Sequence, residues 1–165
     1  MLAIAIVGVE VPDARPVFLA VLAVHVAAGL AAAVAGGMAA TAGKRAGRHP
    51  RAGRAYLGML AVVAGTALVL AVLRWPHDVH LLTLGVLALG LGVGGWRARR
   101  RRRAGWRRRH IVGMGGSYVV LLTAFYVDNG PQLPGWKLLP GWAFWVLPAL
   151  VGAPLIARAL GRHRA

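Results

Sequence analysis

The chain has 165 residues, of which 58% are hydrophobic, with a mean hydropathy of +0.63 and a formal net charge of +16. A soluble domain carries about 25% charged residues, whereas only 15% of this chain is charged, so its composition excludes an ordinary soluble domain. The chain contains no cysteine, which excludes disulfides, thiolate metal sites, iron–sulfur clusters and thiol nucleophiles.

The chain begins with an apolar run, Met1 to Val9, that lacks the basic residues of a secretory signal peptide. Glu10, Pro12, Asp13 and Arg15 then interrupt it. We therefore expect residues 1–15 to form a short extracytoplasmic segment at the membrane interface.

Five longer apolar stretches follow, each close to the roughly 20 residues that cross about 30 Å of hydrocarbon. Pro16 suits the first position of the first helix, where a missing N–H costs nothing. Pro148 and Pro154 predict a kink in the fifth stretch, for which a partly re-entrant path is the alternative. The sequence thus predicts an all-α, polytopic transmembrane helical bundle with a basic tail at residues 158–165 and spans at residues 16–41, 56–73, 79–96, 111–127 and 141–157.

Charge divides sharply between the two sides that these spans define. One side holds all four acidic residues, namely Glu10, Asp13, Asp78 and Asp128. The other holds 17 of the 20 Lys and Arg residues, which are Lys44, Arg45, Arg48, Arg51, Arg54, Arg97, Arg99 to Arg103, Arg107 to Arg109, Arg158, Arg162 and Arg164. Because basic loops stay in the cytoplasm, we expect the N-terminus outside and the C-terminus inside a bacterial cytoplasmic membrane.

A soluble protein of this net charge would suggest a nucleic-acid partner. Here the basic residues flank apolar runs, and the positive-inside rule explains them more simply. We therefore expect no nucleic-acid partner.

The densest basic run, residues 97–109, holds nine arginines. Its simplest interpretation is a solvated loop that fixes orientation. The functional interpretation is contact with anionic lipid headgroups at the cytoplasmic face, made by Arg99, Arg100, Arg101, Arg102, Arg103, Arg107, Arg108 and Arg109.

Small residues recur within the spans at spacings that allow helices to approach closely. Gly90 and Gly94 have the GxxxG spacing, and Gly113 with Ser117 has a similar one. We interpret both as packing positions within the bundle, with association of the chain with itself as the alternative.

Histidine is the residue type best placed for chemistry. His25 lies about nine residues inside the first span, roughly 13 Å deep at 1.5 Å per residue, and such buried polar groups are functional candidates. His49 and His110 flank the second and fourth spans on the basic side and would face each other if those helices are neighbours. His77 and His80 form a pair on the opposite side, just after Pro76.

Two cofactors could use these histidines. A b-type haem needs two neutral imidazoles from different helices, for which His25, His49 and His110 are the candidates. A divalent metal needs three or four ligands, and His77 and His80 could contribute to one only if both are helical. Binding of no cofactor is the third interpretation.

The sequence shows no Ser/His/Asp catalytic arrangement, because the acidic residues lie on one side of the membrane and His110 lies on the other. The sequence therefore favours a protein that is not an enzyme.

Tyr118 could donate a hydrogen bond inside the bundle. Turn residues and three prolines predict a stiff, folded loop at residues 128–141.

Several segments resemble a known family: H-V-A-A-G from His25, H-P-R-A-G-R-A-Y-L-G-M from His49, H-I-V-G-M-G-G-S-Y from His110, and the F-Y-V-D-N-G-P-x-L-P and F-W-V-L-P-A-L-V-G-x-P-L-I stretches within residues 118–156. They are similar to the bacterial membrane proteins grouped as domain of unknown function 2306. The resemblance implies a polytopic helical membrane protein and draws attention to His25, His49 and His110. It implies no particular activity.

Three functions stay open at this point. The first is interaction or small-solute handling by a bundle whose histidines are polar helix contacts. The second is a haem- or metal-binding redox protein. The third is a small proton-coupled transporter that uses His25, although five spans give no even inverted repeat.

Overall fold

The structure, a computed structural model, describes residues 4–6, 9–11, 13–43 and 47–162. Two short antiparallel strands, β1 (Ile4–Ile6) and β2 (Val9–Val11), precede a bundle of five α-helices. These are α1 (Pro16–Thr41), α2 (Arg48–Leu73), α3 (Val79–Arg101), α4 (Trp106–Asn129) and α5 (Gly141–Gly161). Each helix is long and apolar enough to cross a membrane, so the predicted all-α transmembrane bundle is confirmed. Lys44, Arg45 and Arg164 lie outside the described residues.

Neighbouring helices run in opposite directions and pack in chain order. α1 packs on α2, α2 on α3, α3 on α4, and α4 also contacts α1, so the first four helices form a closed group within the bundle. α5 packs on the outside of α4. The bundle has a basic end, where α1, α3 and α5 finish and α2 and α4 begin, and an opposite end.

Four helices extend beyond their apolar stretches at the basic end. α2 begins at Arg48, α3 continues to Arg101, α4 begins at Trp106, and α5 continues to Gly161, four residues into the predicted tail. An apolar run marks only the part of a helix that hydrocarbon requires, whereas arginine is a good helix former in water. The first helix matches its predicted bounds because Pro16 limits it at one end.

The expectation of a solvated loop across residues 97–109 was wrong for most of that run. Only residues 102–105 connect α3 to α4, and this turn uses left-handed backbone at Arg102 (φ 46°) and Gly105 (φ 72°). The other arginines extend from helical backbone on the last turn of α3 and the first turn of α4. Their positions relative to each other are therefore set by the hairpin.

The interior of the bundle combines many small residues with a few large ones, such as Tyr56 and Leu60, and many of the large apolar side chains face outwards. Ala28, Ala32 and Ala88 are buried, whereas Leu30 and Val86 are about three-fifths exposed. Contiguous exposed apolar surface is a liability in water, but lipid tails solvate it, and small interior residues allow close helix contact. The side-chain distribution therefore suits a membrane environment.

Glycines bring the helix backbones together at defined points. Gly95 of α3 contacts Gly113 of α4, and Gly92 of α3 contacts Leu60 of α2. Ser117 also faces Gly92, so the Gly113–Ser117 pair packs within the bundle as predicted. The same prediction was wrong for Gly90 and Gly94, because both are exposed and a β-carbon at either position would meet no atom within 4 Å. The two lie on a face of α3 that the bundle leaves open.

Glycines also allow α5 to pack closely against α4. Val119 of α4 packs into the space at Gly152, and Ile156 of α5 packs against Gly115. α5 is one continuous helix of 21 residues despite Pro148 and Pro154, and it is long enough to cross a membrane. The loop before it contains two single-turn 3₁₀ helices, Gly130–Gln132 and Trp136–Leu138, as expected for a folded connection.

Candidate functional sites

A buried polar layer crosses the middle of the bundle. The hydroxyls of Tyr56 (α2) and Ser117 (α4) are 2.8 Å apart, and both side chains are almost fully buried. Ser117 also donates to the carbonyl of Met114. A hydroxyl has one proton, so Tyr56 donates to Ser117 when Ser117 donates to Met114. The hydrogen bond between Tyr56 and Ser117 was not predicted from the sequence. The signal for it is that each residue follows a histidine by seven positions, Tyr56 after His49 and Ser117 after His110. Seven residues are about two helical turns, so each histidine and the hydroxyl residue after it lie on the same side of their helix.

Tyr118 ties the same layer to α1. Its hydroxyl donates to the carbonyl of Ala33 at 2.9 Å, which confirms the predicted hydrogen bond inside the bundle. Its ring packs edge to face on Tyr56 and over Gly36, where a β-carbon would overlap the ring. Glycine at position 36 therefore makes room for the tyrosine.

His49 and His110 lie next to each other at the basic end, as their positions in the sequence suggested. Their ring centroids are 6.2 Å apart and the ring planes are nearly perpendicular, at 79°. The two residues come from α2 and α4, which begin at the same end of the bundle. The structure thus brings together two of the three histidines that the haem hypothesis names.

Each of these histidines also bonds to the helix that precedes its own. His49 Nδ1 is 2.8 Å from the carbonyl oxygen of Ala39 in α1, and His110 Nδ1 is 3.1 Å from that of Gly95 in α3. A carbonyl can only accept, so both rings carry a proton on Nδ1. A neutral ring in this tautomer has its lone pair on Nε2. Both hairpins, α1–α2 and α3–α4, are therefore joined by the same kind of bond.

His25 lies inside the bundle and contacts α2. Its Nδ1 is 2.8 Å from the hydroxyl oxygen of Thr66, and that hydroxyl is also 2.8 Å from the carbonyl of Val62. When Thr66 donates its proton to Val62, His25 donates to Thr66. His25 does not lie near the His49–His110 pair. Its bond to Thr66 joins α1 to the second half of α2, whereas the pair lies where α2 begins. A transport role for His25 stays a prediction.

His77 and His80 do not share a helix. α3 begins at Val79, so His80 is helical whereas His77 lies in the preceding turn, where its N–H donates to Arg74. Pro76 keeps the helix from starting earlier. The ring of His80 lies near that of Trp145 in α5. The condition under which these two histidines could act as a ligand pair is not met.

Among residues 13–43 and 47–162, no three His, Asp or Glu side chains form a group that could hold a metal ion. A divalent metal needs three or four protein ligands, so the described residues give the metal hypothesis no support.

Charge pairing is concentrated at the opposite end. Arg15 donates from Nε to Asp13 at 2.8 Å and from Nη2 to the carbonyl of Leu73 at 3.0 Å, and the second bond links the start of α1 to the end of α2. Arg74 pairs with Asp78 at 2.8 Å. The hydrogen bond from Arg15 lowers the pKa of Asp13 below its ordinary value. Cations and carboxylates therefore neutralise each other at this end.

The basic end has no such compensation, because the sequence contains no Asp or Glu there. Two of its arginines lie over tryptophan rings, Arg100 over Trp96 at 4.6 Å and Arg107 over Trp106 at 5.6 Å. Such contacts are favourable but do not cancel the charge. Arg97, Arg101, Arg103 and Arg109 line a small cavity of about 200 Å³ with Trp106.

No protein-family model matches the chain, and neither the curated proteins nor the solved structures include a match. The resemblance to the domain of unknown function 2306 group stays a prediction. The five candidate spans indicate a multi-pass membrane protein.

Proposed function

We propose that this protein is a non-enzymatic interaction bundle of the bacterial cytoplasmic membrane, and that its basic end binds anionic lipid headgroups. The observation that carries the proposal is the uncompensated arginine surface that α3 and α4 display from helical backbone. The histidines are polar contacts between helices in this proposal, in keeping with the bonds of His25, His49 and His110 to neighbouring helices.

Electrostatic attraction and the position of the arginines support anionic lipid as the ligand of the basic end. Each basic residue near an anionic membrane surface contributes about 1 kcal/mol, and the attraction falls off within a Debye length of about 10 Å at 0.1 M salt. The arginines of α3 directly follow its apolar part and those of α4 directly precede its apolar part, so both sets lie at headgroup depth when the helices span the bilayer. Arginine also matches phosphate with paired hydrogen bonds.

The test is lipid enrichment in a mixed bilayer. The full chain is reconstituted into nanodiscs of equal phosphatidylglycerol and phosphatidylcholine with matched acyl chains, and the lipids that remain after gradual delipidation are quantified by mass spectrometry. We expect phosphatidylglycerol to be enriched, and the enrichment to fall with added salt and with glutamine at Arg99, Arg100, Arg107 and Arg108. Glutamine at Arg74 and Lys137, on the opposite end, is the control. Equal retention of both lipids by the unaltered chain would refute the proposal.

A second function, haem binding, is favoured by one observation, the His49–His110 pair. A b-type haem would need two imidazoles from different helices, and His49 and His110 could supply them. The backbone carbonyl at each Nδ1 is the kind of contact that orients a ligating histidine. His49 and His110 would hold the iron, and the group would supply one-electron chemistry.

Haem binding has a spectroscopic test. The chain is expressed with added haem precursor, purified, and scanned for Soret absorbance. The haem proposal expects a bis-imidazole spectrum that His49→Ala and His110→Ala both abolish and His25→Ala preserves. A chain without Soret absorbance removes this candidate and leaves the lipid proposal untouched.

A further inference from the structure

An open groove lies between α3 and α4 on the outside of the bundle. Its volume is about 720 Å³, within the range of about 300–1,000 Å³ typical of small-molecule sites. Its walls come from Val86, Leu87, Gly90 and Gly94 of α3 and from Val112 of α4. Val86, Leu87 and Val112 are substantially exposed, so the groove opens toward the lipid rather than into the bundle.

Glycine creates this groove in two ways. Gly95 and Gly113 bring the two backbones into contact and set its floor. Gly90 and Gly94 lie along its wall with nothing within 4 Å of the position a β-carbon would take. The absence of side chains at positions 90 and 94 leaves an apolar channel along the surface of α3.

The groove leads directly into the arginine-lined cavity at the basic end. Gly94 and Arg109 line both spaces. The cavity brings Arg97, Arg101, Arg103 and Arg109 together with Trp106. None of these four arginines pairs with a carboxylate in the described part of the chain, and the sequence offers none at this end. Four neighbouring cations repel each other, so this cavity favours an anion.

The length of the groove matches one leaflet of a bilayer. Val86 and Arg97 are eleven residues apart, which is roughly 16 Å along a helix. Half of a hydrocarbon core of about 30 Å is about 15 Å. An acyl chain that follows the groove from Val86 therefore reaches headgroup depth where the arginines begin.

We propose that this composite space is a binding site for one anionic glycerophospholipid, with its phosphate among Arg97, Arg101, Arg103 and Arg109 and an acyl chain along Gly90 and Gly94. The inference rests on the proposed function and makes it specific, because it names one site instead of a whole surface. Charge complementarity selects an anionic headgroup, and the apolar groove selects a lipid over a free phosphate.

Native mass spectrometry of the full chain in detergent tests the site. The protein is titrated with phosphatidylglycerol and, separately, with phosphatidylcholine of the same acyl chains. We expect one preferred phosphatidylglycerol adduct, with inorganic phosphate at the same concentration failing to displace it. Gly90→Leu should fill the groove, and the double variant Arg101→Gln with Arg109→Gln should remove half of the cations.

Each site variant has a matched control. Gly65→Leu adds the same side chain at an exposed glycine of α2 that also faces open space. Arg54→Gln with Arg158→Gln removes two cations from the basic end outside the cavity. We expect phosphatidylglycerol affinity about tenfold weaker, or 1.4 kcal/mol, in both site variants and nearly unchanged in both controls. Thermal unfolding of each variant establishes that the bundle is intact.

The outcomes separate the site from the proposed function. If Gly90→Leu binds phosphatidylglycerol like the unaltered chain, or if both arginine pairs weaken binding equally, the specific site is refuted and the basic surface stands. If inorganic phosphate displaces the adduct, the lipid is not the occupant. If Gly90→Leu instead converts a dimer into a monomer, the groove holds a second copy of the chain and the lipid site is wrong.

Discussion

Gly95 of α3 and Gly113 of α4 meet backbone to backbone, so closely that a β-carbon on Gly113 would lie 2.7 Å from the α-carbon of Gly95. No side chain is available there to move aside. This backbone contact between two helices thus depends on the absence of two methyl groups. Ser117 and Gly92 continue this contact toward the polar layer.

Gly113→Ala should therefore destabilise the bundle by about 1–3 kcal/mol, since added volume in a packed contact forces backbone shifts. Gly90→Ala, on the open face of the same helix pair, is the control, and there the better helix propensity of alanine should leave stability unchanged or slightly raised. The measurement is denaturant-induced unfolding in detergent. Equal stability of the two variants would contradict the contact.

The hydrogen bond between Tyr56 and Ser117 predicts that removing one of the two hydroxyls costs more stability than removing the other. Tyr56→Phe leaves Ser117 bonded to Met114, so it should cost about 1 kcal/mol. Ser117→Ala leaves a buried tyrosine hydroxyl without its acceptor and should cost more, about 1–3 kcal/mol. The double variant should cost less than the sum of the two single variants. Tyr126→Phe, at a hydroxyl that bonds to no described residue, should be neutral, and additivity in the double variant would argue against the bond.

His25 and Thr66 should be energetically coupled because their side chains share a hydrogen bond between α1 and α2. Hydrogen bonds between transmembrane helices average about 0.6 kcal/mol in double-mutant cycles. A cycle of His25→Ala and Thr66→Val should give a coupling of that order. Val62, which accepts from Thr66 through its backbone, provides no side-chain coupling, so Val62→Ala with His25→Ala should be additive.

The Asp13–Arg15 pair predicts a dependence of stability on acid. Because the hydrogen bond from Arg15 lowers the pKa of Asp13 from its ordinary value of 3.8, the folded state binds a proton less readily than the unfolded state. The contribution of the pair is thus fully present above about pH 4 and is lost as the pH falls through the lowered pKa. The stability difference between the unaltered chain and Asp13→Asn should be constant from pH 7 to about pH 5 and shrink below that. A difference that grows on acidification would overturn the assignment.

The charge division predicts orientation in the membrane. A reporter fused after Ala165 should read cytoplasmic, and a reporter inserted in the loop at residues 133–135 should read extracytoplasmic. Replacing the arginines of residues 99–103 and 107–109 with glutamine should weaken this preference and give mixed orientations. An extracytoplasmic C-terminus in the unaltered chain would reverse the scheme.

The number, order and type of the helices could be predicted from the sequence, because five apolar stretches of about the right length admit few other structures. The positions of the helix ends on the basic side could not be predicted from the sequence. Hydropathy indicates where hydrocarbon begins, whereas α3 continues as helix through the basic residues to Arg101. The sequence also indicated that His49 and His110 could meet, since both precede spans that start on the same side.

The packing faces of α3 were the part that sequence spacing could not decide. Gly90, Gly92, Gly94 and Gly95 lie within six residues, and glycine alone does not show which face meets a partner. Tertiary contact uses Gly92 and Gly95 and leaves Gly90 and Gly94 open. The familiar GxxxG spacing thus marked the groove rather than the helix interface.

The bonds from His49 to Ala39 and from His110 to Gly95 close two consecutive hairpins in the same way. Each bond joins residues fewer than sixteen positions apart along the chain. During synthesis each hairpin can therefore complete its own polar contacts before the rest of the chain emerges. Assembly of the bundle then becomes the lateral docking of two finished units, with α5 added last against α4.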